Sequence, residues 1–385
     1  MAILNLSTYL PQQCGIATFS TDLRKSLLPQ GQKFEIMAIS DRENGYDYPN
    51  EVAFKLYKHN KEDYIRAAEF ANTHSDFDLV VVQHEYGIFG GPDGNYLLDF
   101  ISHLHKPFIV ITHSVLPKPS QGQHYILREL CRQAAGIVCM TNKSAHLLHE
   151  FYAAPADLIS VIHHGVPLFQ NHPQEELKQK YNFKNNQLVT TFGLIGPGKG
   201  LEIGIRAMAK VALTYPSVRY LILGKTHPNL LHSEGESYRN MLLDLVKDLD
   251  LENNIIFVNK FLSDDELGDY LHMTDIYLSP YPNRDQAVSG TMAFALGCGR
   301  AIVSTAYAYA EEVLANERGL LAQSNDPAEL ASLLSQILDN RQLQQKLENN
   351  AADFGKTITW PNIGKNYCHF INKTLENYRR ISQMR

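Results

Sequence analysis

Cysteine is scarce and unpatterned. Cys14, Cys131, Cys139, Cys298 and Cys368 are odd in number, scattered, and never in a Cys-x-x-Cys spacing. Neither a disulfide framework nor a zinc cluster is indicated, and a reducing, cytoplasmic compartment is expected. Basic charge is also short: 35 Lys and Arg against 41 Asp and Glu leave a formal net charge of −6. That speaks against nucleic acid as a partner, because phosphate-backbone binders need a basic face. No segment approaches the roughly 18 consecutive apolar residues of a membrane span. Met1 to Leu6 lacks the basic region and long apolar run of a secretory leader. Neither secretion nor a transmembrane segment is expected; peripheral membrane contact stays open. The 16 histidines include no His-Glu-x-x-His, and the pairs His146 with His149 and His227 with His232 lack a nearby carboxylate pattern. No metal site is expected.

What remains is an ordinary globular composition, 44% hydrophobic and 20% charged over 385 residues. That length suits two domains. Short apolar runs at Ile3 to Leu6, Phe34 to Ile39, Leu79 to Val82, Phe108 to Ile111, Gly136 to Met140 and Ile159 to Ile162 alternate with segments of helical period, such as Phe19 to Leu28 and Gln123 to Ala134. Repeated β then α predicts a doubly wound, mostly parallel sheet. Val166 to Gln187 turns polar and reads as a connection around a short helix. The rhythm then restarts, with strands from Leu188 to Phe192 through Gly319 to Leu321 and a last long helix at Ala328 to Asn350. The expected division is 1–168, 169–361 and a C-terminal helical segment, 362–385.

The second half carries a phosphate-like chemistry. Gly193-Leu194-Ile195-Gly196-Pro197-Gly198-Lys199-Gly200 nearly matches a nucleoside triphosphatase phosphate loop. Gly200 has no hydroxyl for magnesium, and Pro197 deletes a backbone N–H. Lys199 then suits a diphosphate held without a metal, though a solvated loop lysine is the plainer reading. Further on, a strand ending at Leu278 leads into a polar loop and a helix opening near Ser289. Ser289-Gly290-Thr291 offers a cap, free amides and a bare backbone to anionic oxygens. An ordinary capped helix fits those residues equally well.

The first half carries two mixed turns. One contains Gly15; the other begins His84-Glu85-Tyr86-Gly87-Ile88-Phe89-Gly90. Neither is Gly-x-Gly-x-x-Gly, so a nicotinamide or flavin cofactor is disfavoured. Their glycines, polar groups and aromatics suit a sugar, and a helix cap or surface loop suits His84-Glu85 as well. His113 ends the strand Pro107 to Thr112, and His164 ends another. At a strand end, His113 can donate to a substrate hydroxyl or take up a proton.

Taken in order, these features resemble a GT-B-fold glycosyltransferase of family 4, the group called glycosyl transferases group 1. The match runs through Cys14-Gly15, His113, Val161 to Val166, Gly193 with Pro197 and Lys199-Gly200, Gly224, Ala295 to Thr305, Glu312-Val313-Leu314 and Gly319-Leu320-Leu321. The resemblance implies two Rossmann-like domains facing each other across a cleft, the C-terminal one holding a nucleotide sugar (GDP-, UDP- or ADP-linked) and the N-terminal one a carbohydrate acceptor. It implies retaining, metal-independent transfer, with no cofactor and the C-terminal helix returning to the first domain. His113, Asp285 and Gln286 become the catalytic candidates. Gly193, Gly198, Lys199, Ser289, Gly290, Thr291 and, for the ribose, Glu312 become the nucleotide candidates, and Gly15, His84, Glu85, Gly87, Gly90 and His164 line the sugar side. Two departures stand out. The family's paired glutamates fall at Gln286 and Phe294, and its arginine after the first loop glycine is Leu194. Asp285 is then the nearest carboxylate, and Lys225, Arg284 or Lys260 could supply the missing cation. An inactive sugar- or nucleotide-binding scaffold, or another GT-B enzyme such as a nucleotide-sugar epimerase, is the alternative.

Overall fold

A computed structural model describes residues 1–383 as two compact units. The first comprises Met1–Gly165 with the C-terminal helix; the second is Val166–Thr359. The chain order in the first unit is β1 (Ala2–Ser7), α1 (Gly15–Leu27), β2 (Lys33–Ser40), β3 (Val52–Tyr57), α2 (Lys61–Thr73), β4 (Leu79–His84), α3 (Tyr96–His103), β5 (Phe108–Thr112), α4 (Gln121–Gln133), β6 (Gly136–Cys139), α5 (Asn142–Glu150) and β7 (Ile159–Val161). Among the described residues these strands form one parallel sheet in the order β3-β2-β1-β4-β5-β6-β7. Runs such as Leu79-Val80-Val81-Val82 are buried along their whole length, as a parallel strand with helices on both faces requires.

The second unit runs α6 (Gln174–Lys180), β8 (Leu188–Phe192), α7 (Leu201–Thr214), β9 (Arg219–Leu223), α8 (Pro228–Glu234), α9 (Ser237–Asp248), β10 (Ile255–Val258), α10 (Asp264–Met273), β11 (Ile276–Ser279), α11 (Gly290–Gly297), β12 (Ala301–Thr305), α12 (Ala308–Val313), β13 (Leu320–Ala322), α13 (Pro327–Asp339) and α14 (Arg341–Thr357). Its sheet has the order β10-β9-β8-β11-β12-β13. The chain then returns as α15 (Trp360–Gln383), which packs along α1 in the first unit.

Some elements differ from the periodicity reading. The strand β3 has no clear apolar alternation and buries only Leu56 fully, because it is an edge strand. The helical stretch expected as one element from Ala328 to Asn350 breaks at Asn340, whose side chain accepts from Leu343 N at 3.0 Å and starts α14. The polar segment Val166 to Gln187 is part of the second unit: Lys178 is buried 2.7 Å from Asp275, whose carboxylate also accepts from Leu188 N at 2.7 Å. That pair fastens α6 to the start of β8. No described helix is long and apolar enough to cross a membrane.

Candidate functional site

In an open α/β sheet, ligands bind beyond the carboxyl ends of the strands where the winding direction reverses. In the second unit that point lies between β8 and β11, which pair directly while the chain winds away from them in opposite directions. The loops leaving these two strands carry Lys199 and Tyr281.

The β8 loop leaves the sheet at Gly193, whose φ of +129° admits no side chain comfortably; a Cβ there would sit 3.2 Å from Lys199 Nζ and 3.3 Å from Thr291 Cγ2. Lys199 ends the short turn Pro197–Lys199 and donates its ammonium to the Tyr281 hydroxyl. That hydroxyl lies 2.8 Å from Thr291 Oγ1, and Thr291 in turn lies 3.2 Å from Ser289 Oγ. Ser289 caps α11 by accepting from Met292 N at 3.3 Å. The Tyr281 ring stacks on Tyr307 with centroids 5.3 Å apart and planes 13° from parallel. Burial alone would push the Tyr281 phenol up, but the Lys199 charge and the hydrogen bonds it shares with Lys199, Thr291 and Ser289 outweigh it and hold the phenol below its ordinary range.

Two members of this chain, Lys199 and Tyr281, line a cavity of about 520 Å³ with Leu194, Gly198, His227 and Gln286, among others, while Gly193, Ser289, Gly290 and Thr291 stand behind its wall and are not part of its lining. Burial first, then the Lys199 charge, lowers the His227 pKa and favours a neutral ring. Gln286 faces this cavity with its amide donating to Val288 O at 3.0 Å. Asp285 does not line it: the residue is exposed, and its carboxylate has no partner among the described residues. Glu312 is half-buried on α12, whose first amides bond the loop at Arg284 O and Gln286 O, and it too lies outside the cavity lining. Phe294 is buried against Phe169 and Phe192. Among the cations that could replace the missing arginine, Arg284 is bonded to Gln323 O and Lys260 is paired with Glu266. Lys225 has no side-chain partner among the described residues, and its carbonyl accepts from Ile195 N of the glycine loop at 2.8 Å.

The first unit reverses between β1 and β4. Two fully buried polar residues mark the place: Gln83 Nε2 on β4 donates to Asn5 Oδ1 on β1 at 3.0 Å, and Gln83 Oε1 lies 2.8 Å from His113 Nε2 at the end of β5. Burial, then the His164 and His84 rings, lowers the His113 pKa to about 3. Near pH 7 the ring is therefore neutral, which leaves hydrogen bonding and disfavours the proton uptake that its sequence position allowed. His164, held to about 4 by burial with partial offset from its 2.7 Å bond to Gly165 O, shares the edge of Phe19 with His113 and Trp360.

The remaining sugar-side candidates separate. Gly15 opens α1 with clear space beside it. Glu85 accepts from the Ser114 hydroxyl, and burial raises its carboxyl pKa. His84 is packed under Tyr86 and Phe89, with both ring nitrogens buried and unpartnered among the described residues. Gly87 and Gly90 line a second cavity, of about 660 Å³, with Lys58, His59, Asp93 and Tyr96. Gly90 is required by packing: a Cβ there would lie 1.8 Å from Lys58 O. Sequence reasoning missed Tyr281, Tyr307, Asn5, Gln83 and His227. A polar residue inside an apolar strand was the available signal for Asn5 and Gln83. The described residues contain no group of three or more metal-ligating side chains.

Comparison with known proteins gives this geometry a family. The profile of glycosyl transferases group 1 matches residues 173–354, and that of Glycosyltransferase Family 4 matches residues 14–169. A D-inositol 3-phosphate glycosyltransferase from Jonesia denitrificans is 23% identical over 243 residues, 60% of this chain and 55% of the relative. The chain thus spans about half the length of that relative. An uncharacterized glycosyltransferase from Methanocaldococcus jannaschii is 21% identical over 370 residues, 94% of this chain and 95% of its own length. Among solved structures, Anabaena HepE in complex with UDP and glucose superposes with a TM-score of 0.78 at 17% identity, over 97% of this chain and 100% of HepE. Sucrose-phosphate synthase from Thermosynechococcus elongatus gives 0.80 at 15%, over 100% of both chains. Both likenesses show the GT-B fold, and the two profiles, which between them run from residue 14 to residue 354, place the chain in glycosyltransferase family 4, the glycosyl transferases group 1.

Proposed function

We propose that this protein is a retaining, metal-independent glycosyltransferase that moves a sugar from a nucleoside diphosphate to a hydroxyl of a carbohydrate or related polyol. The observation that carries the reading is the Lys199 ammonium in the wall of one cavity at the strand-order reversal of the second unit, joined through Tyr281 to Thr291 and the capped start of α11. A leaving diphosphate gains negative charge as the glycosidic bond breaks. Lys199 and the free amides of α11, worth roughly half a charge, stabilise that charge where it develops. Gly193, Gly198, Ser289, Gly290 and Thr291 frame the diphosphate, Lys225 supplies the second cation, and Glu312 reaches the ribose. Gln286 and Asp285 contact donor-sugar hydroxyls. The acceptor meets the first unit through His113, His164, Gly15 and the Glu85 to Gly90 turn, of which Tyr86, Gly87, Phe89 and Gly90 line the 660 Å³ cavity. HepE, with which the chain shares its fold, was solved with UDP and glucose, so UDP is the first donor base to try.

A second reading is favoured by one observation: Gln286 and Phe294 stand where the family resemblance implies carboxylates, as in a protein that binds the nucleotide sugar without turning it over. Thermal shift and calorimetry with UDP, GDP and ADP, with and without EDTA, test the site. Donor hydrolysis or transfer then separates the two readings. Loss of all binding under chelator would overturn metal independence, and binding without any turnover would favour the scaffold.

A further inference from the structure

We infer that Tyr281 is a positioning residue of the diphosphate site, whose hydroxyl holds the Lys199 ammonium in place and links it to Thr291 at the start of α11. This rests on the reading of the 520 Å³ cavity as a nucleoside-diphosphate site. Tyr281 is 1% exposed and fixed on every side: its ring lies on Tyr307, and its carbonyl accepts from Thr305 Oγ1 at 2.6 Å. The Lys199 ammonium is also 4.5 Å from the centroid of its ring. A phenol oxygen so anchored is a rigid acceptor for a lysine that would otherwise have four flexible carbons between its charge and the backbone.

The choice of partner matters chemically. Lys199 is in no ion pair among the described residues, and the group that holds it is a phenol oxygen in place of a carboxylate. A carboxylate there would hold the lysine equally well and cancel its charge; the phenol holds it and leaves the charge to the ligand. An ammonium has three N–H groups. One goes to Tyr281, and two are left for diphosphate oxygens. The phenol, its lone pair taken by the ammonium, is polarised to donate its own proton to Thr291 Oγ1 at 2.8 Å. The Thr291 proton is then free for Ser289 or for an anion at the mouth of α11. Tyr281 thereby couples the two positive features of the site, the lysine and the helix start.

The test is a double-mutant cycle of Tyr281→Phe and Lys199→Met. Phenylalanine keeps the ring, the stack and the cation–π contact and removes only the hydroxyl. Affinities are measured by calorimetry for UDP, GDP and ADP and for the matching nucleosides. The expected result is a loss of roughly 5- to 20-fold in diphosphate affinity for Tyr281→Phe, unchanged nucleoside affinity, and less than about a twofold further loss when Lys199 is already Met. Thr291→Val cuts the far end of the same chain and gives a second cycle should the phenylalanine variant not fold. Equal losses with and without Lys199, or equal losses for nucleoside and diphosphate, would overturn the inference. A wild-type protein that binds none of the three diphosphates would overturn the functional reading, and this inference with it.

Discussion

His84 offers a perturbation whose size comes directly from its surroundings. Its ring is buried at the end of β4, neither nitrogen has a partner among the described residues, and burial is the sole cause that lowers its pKa to about 3 from an ordinary 6.5. The sign is that of a depressed group: the unfolded chain takes up the proton as pH falls through 6.5, and the folded chain does not until near pH 3. Stability present above pH 6.5 is therefore lost steadily below it, by up to about 1.4 kcal/mol per pH unit. Over roughly the first two pH units below that point the share of His84 comes to about 2 kcal/mol. Replacing it with leucine, of similar volume and with no proton to take up, should remove that share and leave stability at mildly alkaline pH equal or slightly higher, since no hydrogen bond is lost. Urea unfolding monitored by fluorescence suits the measurement, because the single tryptophan, Trp360, sits in the first unit against Phe19 and His164. Carboxylates titrate over the same range, so the readout is the difference between variant and wild type at each pH. A His84→Leu protein whose stability falls with pH as steeply as the wild type would refute the buried, uncharged ring.

The site sets three further outcomes. Lys199→Ala should weaken nucleoside diphosphate binding by roughly 10- to 150-fold, the worth of a charge-assisted hydrogen bond, with an unchanged melting temperature and no dependence on chelator; calorimetry in the presence of EDTA checks it. His113→Ala should lower turnover more than nucleotide affinity, because the nucleotide is assigned to the other unit, and parallel losses in steady-state kinetics and binding would contradict that assignment. Asp285→Asn should reduce turnover by about tenfold or more while leaving free nucleoside diphosphate affinity nearly intact, with Gln286→Ala affecting mainly the choice of donor sugar; full activity of the asparagine variant in a transfer assay would remove Asp285 from the mechanism.

Most of the fold is legible in the sequence because parallel strands buried on both faces are written as short apolar runs, and the helices between them carry their own caps. Asn60, Ser120, Thr141 and Ser263 each start a helix by accepting from its first free amides. The helix α3 escapes notice because it comes after the glycine-rich turn from Gly87 to Gly94, where local pattern argues for loop. The break between α13 and α14 escapes it because Asn340 looks like one polar residue on an amphipathic surface until its side chain is seen to cap α14.

The site is legible only in pieces, and the reason is topological. Lys199 and the Ser289 cap announce themselves locally, by a glycine-rich loop and by a hydroxyl before a helix. Their link does not: Tyr281 lies 82 residues from Lys199, and only the reversal between β8 and β11 brings the two loops together. The same holds for Asn5 and Gln83, separated by 78 residues and joined because β1 and β4 are neighbours. Phe294 shows why the family's carboxylate pattern could lapse without an empty place being left behind. Its ring fills the space between Phe169 and Phe192, so a charge there would be buried against aromatic rings with its solvation lost. With Asp285 exposed and Gln286 neutral, the groups that meet the cavity beside Lys199 carry no negative charge among the residues that line it. On the proposed reading, a diphosphate entering there would be met by a lysine whose partner is a phenol, and the electrostatic work of the site would fall on that cation and on the helix start to which Tyr281 ties it.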